Sequence, residues 1–219
     1  MVQPRISGKL VACALALACL PPLLVAQDDV GQRSIALTAH AGLQSPSADL
    51  FRDGRLGGGW HQDGGWQVGG GVVVPLLSRV AGEVIVGWGS TTLEGYGANA
   101  WEGFSGGSRL LELTGRLMVR FTPESRTVSV SLLAGGGMLW QSFDSPQQTW
   151  LGAAGRQSRA WPTAVGGVQG RFRLNHQLSL TAAVEQHFYT AKFTGSLASE
   201  IAQRDTRISL GLHLPLGWQ

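Results

Sequence analysis

Cysteine is almost missing from this chain of 219 residues, and the two that occur, Cys13 and Cys19, both lie within the first 26 positions. If that segment is removed on export, the remainder has no disulfide and no thiolate to hold a metal. Charge is also scarce, at 14% of residues. After residue 26 no apolar run approaches the roughly 20 residues that a membrane-spanning helix needs. Sustained helical periodicity is absent too. Only Leu197 to Gln203 would accommodate one helical turn, inside a loop. What the chain does have is glycine (32 residues), tryptophan (eight) and long stretches that alternate apolar with polar.

The first 26 residues read separately. Arg5 and Lys9 precede an apolar run from Leu10 to Ala26, broken only by Pro21-Pro22 and followed by Gln27-Asp28-Asp29. A basic start, a short apolar centre and small residues before a polar step are the pattern of a secretory signal peptide. Leu10-Val11-Ala12-Cys13 looks like a lipoprotein box, but it follows Lys9 with no apolar region before it. A mature chain beginning at Cys19 would start with an apolar segment, so lipidation is not expected. Cleavage takes two of the 17 basic residues and none of the 14 acidic ones, leaving 15 against 14, or +1. That balance gives no reason to expect a nucleic-acid partner. Residues 27–219 amount to one domain.

Within that domain the alternation defines eight strands. The first carries Ile35, Leu37, Ala39, Ala41 and Leu43 on one face. The second runs from Trp66 to Leu76, the third from Glu83 to about Leu93, and the fourth from Ser108 to Phe121. The fifth follows the turn at Thr122 to Arg126 and ends near Trp140. The sixth spans about Trp161 to Leu174, the seventh Gln177 to Tyr189, and the eighth starts at Arg207. In this last strand Ile208, Leu210, Leu212, Leu214, Leu216 and Trp218 share a face opposite Arg207, Ser209, Gly211, His213 and Pro215. The connections Gln44–Gly65, Glu94–Gly107, Gln141–Arg159 and Thr190–Asp205 are long and lack a period. The three between them are short, and Asn175-His176 is a tight turn that Asn favours.

Eight strands with long and short connections in alternation predict an all-β, antiparallel, up-and-down barrel. The faces decide which side meets solvent. One face of each strand is aliphatic or aromatic. The other carries Glu112, Arg116, Arg120, Gln169, Arg171, Arg173, Glu185, His187, Arg207 and His213. An eight-stranded interior is just wide enough for side chains. Charges placed inside can pair and keep water, whereas an apolar band placed outside suits lipid. Aromatics gather on the apolar face at strand ends. Trp66, Trp88, Trp140 and Phe188 lie beside the long connections, and Phe121, Phe172 and Trp218 beside the short ones, as membrane interfaces select. Trp161 lies at the upper level but off parity.

The closing strand, its aromatic near the terminus and the hairpin from Val165 to Leu180 resemble the small bacterial outer-membrane β-barrels, of which the transmembrane domain of outer-membrane protein A is the nearest likeness. Gln219 takes the place of a final aromatic. The resemblance implies residence in the outer membrane with lipid as solvent, a monomer, and recognition of the last strand by the barrel assembly machinery. No further domain is expected after the barrel.

Some small barrels of this kind modify lipids with His, Ser and Glu. Here Glu185-Gln186-His187-Phe188-Tyr189 has no serine beside its histidine, and Glu185 and His187 point inward, so no enzyme activity is expected. His40, His187 and His213 fall on inward faces of neighbouring strands but read as hydrogen-bonded lumen residues, with no metal and no cofactor. Gly69-Gly70-Gly71 and Gly135-Gly136-Gly137 open no helix, which excludes phosphate loops; curvature or bulges are the expectation. The fourth strand stacks Glu112, Arg116 and Arg120 along the inner wall, and the sixth and seventh add Arg171, Arg173 and Glu185. The expectation is an ionic plug of Arg116, Arg171, Glu112 and Glu185, giving a structural or surface-interaction barrel. The alternatives are a narrow pore for ions or small solutes and, ranked below it, a lipid-modifying outer-membrane enzyme.

Overall fold

The computed structural model describes residues 34–47, 49–53, 57–97, 105–122, 127–144, 158–193 and 199–216. The predicted signal peptide and Trp218 lie outside the described residues. Nine strands follow in order: β1 (Ala36–Pro46), β2 (Asp49–Asp53), β3 (Gly58–Pro75), β4 (Val80–Tyr96), β5 (Ser105–Arg120), β6 (Val128–Asp144), β7 (Ser158–Arg173), β8 (Ser179–Phe193) and β9 (Ser199–Pro215). All pairings are antiparallel, and β1 pairs both β9 and β3, so eight strands close on themselves in up-and-down order. The short β2 is an addition that pairs with the upper part of β3. Closure removes the free edges that an open sheet exposes.

The outer wall is the apolar face of the alternation. Val86, Leu111, Leu117, Leu132, Val184, Ile208 and Leu210 all expose large side chains there. Trp66, Trp88 and Phe188 ring it at the long-connection end, with Trp66 and Trp88 packed edge to face at 4.9 Å. Phe121 and Phe172 mark the other end. Leu111 to Phe121 is ten residues along β5, about 33 Å of strand, or about 25 Å of height at a tilt near 40°. That is the height of a lipid-facing band. Polar side chains return just above it, at Arg109, Thr92, Glu94 and Arg204 on outward positions.

The strands run farther than the alternation indicated. Residues expected in the four long connections belong to β1, β2, β3, β4, β5, β6, β7, β8 and β9. The reason is an inversion of the pattern. Above the aromatic ring the wall faces water and is polar, while inward positions turn apolar: Leu93, Leu110, Phe143, Trp161, Tyr189 and Ala191 are all buried. In β3 the phase also slips. The β3–β4 register shifts between Gln62 and Gly65, where β3 carries one extra residue. This bulge turns Gln62 and Trp60 inward, whereas below it Gln67 and Val73 are the inward residues. An inverted pattern interrupted by a bulge leaves no period to read between 44 and 65. The helical turn considered at Leu197–Gln203 is likewise corrected, because 199–203 begins β9.

The glycine runs do not carry bulges. Register continues unbroken through Gly69-Gly70-Gly71 and Gly135-Gly136-Gly137. Of the short turns, 174–178 is wider than a two-residue hairpin. Leu174 N donates to Leu178 O, and the Asn175 side chain accepts from Gln177 N at 2.8 Å. Asn175 therefore acts through an Asx turn. Pro215 falls in the last pair of the β1–β9 ladder, at a strand end where its missing donor costs little.

Candidate functional site: the filled lumen

Inward side chains meet at mid-barrel in an ionic cluster. Arg116 on β5 donates through Nε to Glu83 Oε2 on β4 at 2.8 Å, and through Nη1 to Glu185 on β8. Glu83 also accepts from Thr38 Oγ1 on β1 at 2.8 Å. Arg207 on β9 donates to Glu112 on β5. His187 stands between the two halves, its Nδ1 3.6 Å from Glu112 and its Nε2 3.3 Å from Glu185. Glu83 and Arg116 are register partners on adjacent strands. The pairs from β5 to β8 and to β9 cross the lumen, since those strands stand three and four places away in the sheet order. Glu83, Glu112, Arg116, Glu185, His187 and Arg207 are all buried, and the void that the five charged residues line with Gln67 measures only about 20 Å³. That is room for about one water.

Glycine makes this filling possible. A Cβ on Gly135 would lie 2.7 Å from the Cβ of Arg116, and one on Gly167 would lie 3.0 Å from Cγ of Glu185. Each glycine is the register partner of the charged residue it accommodates. Within the glycine runs, Gly135 stands opposite Arg116 and Gly69 opposite His40.

The lumen is filled above and below as well. Above, Gln141 Nε2 donates to Ser108 Oγ at 2.6 Å and to Gln62 Oε1 at 3.2 Å, and Tyr189 OH donates to Asp205 Oδ2 at 3.1 Å. Beyond them Leu50, Trp60, Leu93, Leu110, Leu139, Phe143, Trp161, Tyr189 and Ala191 form an apolar core inside the barrel. Leu50 reaches it from β2, whose Asp49 carbonyl accepts from Gln203 Nε2 at 2.7 Å. Trp161 faces this core and stacks on Tyr189 at 5.6 Å, which explains its parity. Toward the short turns, Ala36, Val73, Ala81, Met118 and Leu133 form a second apolar cluster.

Of the residues singled out by sequence, Glu112, Arg116 and Glu185 come together, whereas Arg171 does not join them. Glu185 faces Gly167 on β7, and Arg171 lies four residues, about 13 Å, farther toward the short turns. Arg171 and Arg120 instead line a separate void of about 30 Å³ with Arg79 and His213. Arg173 is in the last β7–β8 pair, at the short-turn end. The partner that Arg171 was expected to be is Arg207, and Glu83 completes the cluster. Glu83 carried a readable signal, because pairing the β4–β5 hairpin sets it beside Arg116. Of the three histidines, His40 lines the central void, His187 is in the ionic cluster beside it, and only His213 lies apart, in the lower void. Among the described residues no group of three His, Cys, Asp or Glu side chains is arranged to hold a metal.

No protein-family model matches the sequence, and no curated protein matches it significantly. Solved structures do match the fold. Neisserial surface protein A superposes with a TM-score of 0.54 at 13% identity, over 83% of this chain and 97% of that one. The outer membrane protein OprG from Pseudomonas aeruginosa superposes with a TM-score of 0.55 at 11% identity, over 86% and 100%. The architecture of this chain is that of the small bacterial outer-membrane β-barrels.

Proposed function

We propose that the protein resides in the outer membrane as a sealed barrel and acts through its outward-facing rim, as a structural or surface-interaction protein rather than as a pore or an enzyme. The filled lumen carries this reading. An apolar core, a glutamine layer, a cross-lumen ionic cluster and a second apolar cluster follow one another along the interior, and the central void holds about 20 Å³. The apolar outer band between two aromatic rings supports lipid as the surrounding solvent, since burying such a surface elsewhere would need a partner of equal size. The predicted signal peptide supports export. With the short turns toward the periplasm, the upper strands stand outside the cell.

There the contact surface is built on strands. The β2–β3 hairpin is tied to β4 by the bond from Tyr96 OH to Asp49 Oδ2 at 2.6 Å, and His61 Nδ1 lies 3.4 Å from Asp49. Lys192 and Glu200 bridge β8 and β9 at 2.9 Å. A rim of this kind presents a fixed polar surface to a partner. The test is swelling of proteoliposomes in small sugars. The sealed barrel gives the rate of protein-free vesicles, and a rate that rises with the amount of barrel incorporated favours the pore.

A further inference from the structure

The barrel wall has a fork. The β7–β8 ladder ends, among the described residues, at the pair Thr163 and Tyr189. Both strands continue above it. β7 stays paired with β6 up to Ser158, and β8 stays paired with β9 up to Phe193. Pro162 sits at the branch point, and a proline has no N–H to offer the facing strand. The fork holds a groove of about 960 Å³ between Ala160, Pro162 and Ala164 on one side and Phe188, Thr190 and Lys192 on the other, with Ala202 beyond. Trp161 and Tyr189 also line it, although both rings point into the barrel. The stacked pair is therefore the floor of a slot that opens sideways through the wall.

We propose that this slot binds one acyl chain of an anionic lipid in the outer leaflet. Three observations select that occupant. The slot lies at the level of Phe188, where the wall passes from apolar to polar. Its outward lining is small and apolar, at Ala160, Ala164 and Ala202, so a chain fits against the strands without displacing a bulky residue. Its rim is cationic. Lys192 lines it, and Arg204 is the register partner of Phe188 on the same outward surface. Lys192 pairs with Glu200, but both side chains are more than half exposed, and an ion pair in that setting exchanges readily for a phosphate. The chain end reaches the Trp161–Tyr189 stack, and the headgroup stays at Lys192 and Arg204. The inference rests on lipid facing the outer wall, and its test separates the two.

The protein is refolded into phosphatidylglycerol vesicles containing a phospholipid with a diazirine in its acyl chain, irradiated and digested. Adducts are then located by mass spectrometry. Labelling of Trp66 and Trp88, which lie outside the slot, reports the lipid-facing wall. Labelling of Trp161 or Tyr189 at a similar level reports the slot, because lipid has no other route to inward rings. Ala164→Trp blocks the slot, so adducts on Trp161 and Tyr189 fall about tenfold, the equivalent of some two buried methylenes, while those on Trp88 persist. Ala160→Phe serves the same purpose should Ala164→Trp fail to show the heat-dependent gel shift of a folded barrel. Phosphatidylcholine vesicles with the same probe should lower slot labelling several-fold. Adducts confined to Trp66 and Trp88, or unchanged by blocking or by headgroup charge, overturn the proposal. Absence of adducts on Trp66 and Trp88 overturns the lipid-facing wall itself.

Discussion

Arg116 is the residue whose removal should cost the barrel most. Its guanidinium spans Glu83 and Glu185, and both residues are buried. Arg116→Ala leaves two buried negative charges without their shared partner, and breaking a buried pair in this way costs about 3–5 kcal/mol. Glu185→Ala is the milder change. Arg116 keeps Glu83, and His187 keeps Glu112, so the main loss is the charge-assisted bond from Arg116, about 1.5–3 kcal/mol, with the 3.3 Å contact to His187 lost beside it. The double variant should fall short of the sum by at least about 1 kcal/mol, because part of the cost of Arg116→Ala is the stranded Glu185. Urea unfolding of the barrel in short-chain phosphatidylcholine vesicles, followed by tryptophan fluorescence, gives all three values. If both single variants lose under about 0.5 kcal/mol and add without coupling, the cluster is a wet, loosely paired lumen and the ionic seal is wrong.

The remaining predictions probe wall, packing and orientation. Leu117→Arg and Leu210→Arg should each cost about 2–4 kcal/mol near the bilayer midplane, against about 0–1 kcal/mol for Thr92→Arg above the aromatic ring, measured by the same unfolding. Equal losses at all three would remove the lipid band. Gly135→Ala should destabilise by about 1–3 kcal/mol, because the new methyl meets the Arg116 backbone, whereas Gly115→Ala on the open outer wall should be near neutral. Trp60→Ala should lose about 3–5 kcal/mol by emptying the upper apolar core. Cysteine at Glu94 should react with an impermeant thiol reagent on intact cells, and cysteine at His176 should not; the reverse would invert the topology.

Sequence alternation made the barrel legible wherever one face meets lipid and the other a polar lumen. Leu111, Leu117 and Val119 against Glu112, Thr114 and Arg116 is such a stretch, and the structure keeps every one of those facings. Legibility failed where the solvent changes. Above the ring of Trp66, Trp88 and Phe188 the outside is water and the inside is Leu93, Leu110 and Phe143, so the same strand reverses its pattern. The extra residue between Gln62 and Gly65 adds a second reversal in β3. Both effects turned strand into apparent loop. The ionic cluster was legible in composition but not in pairing. Counting residues from the short turns set Arg171 only a little below Glu185, but the β7–β8 register pairs Gly167 with Glu185 and leaves Arg171 four residues lower. Arg207 reaches Glu112 only because β5 and β9 face each other across a closed barrel, a relation that sequence order alone does not contain.

The most direct test of the sealed lumen is single-channel recording of the refolded, unmutated protein in a planar bilayer. A barrel closed by Arg116, Glu83, Glu185, Glu112 and Arg207 should show no steady opening, and Arg116→Ala should introduce ion leakage as the crossing of the lumen is lost. A large, steady conductance in the unmutated protein, unchanged by Arg116→Ala or Glu185→Ala, would contradict the seal and make the protein a pore.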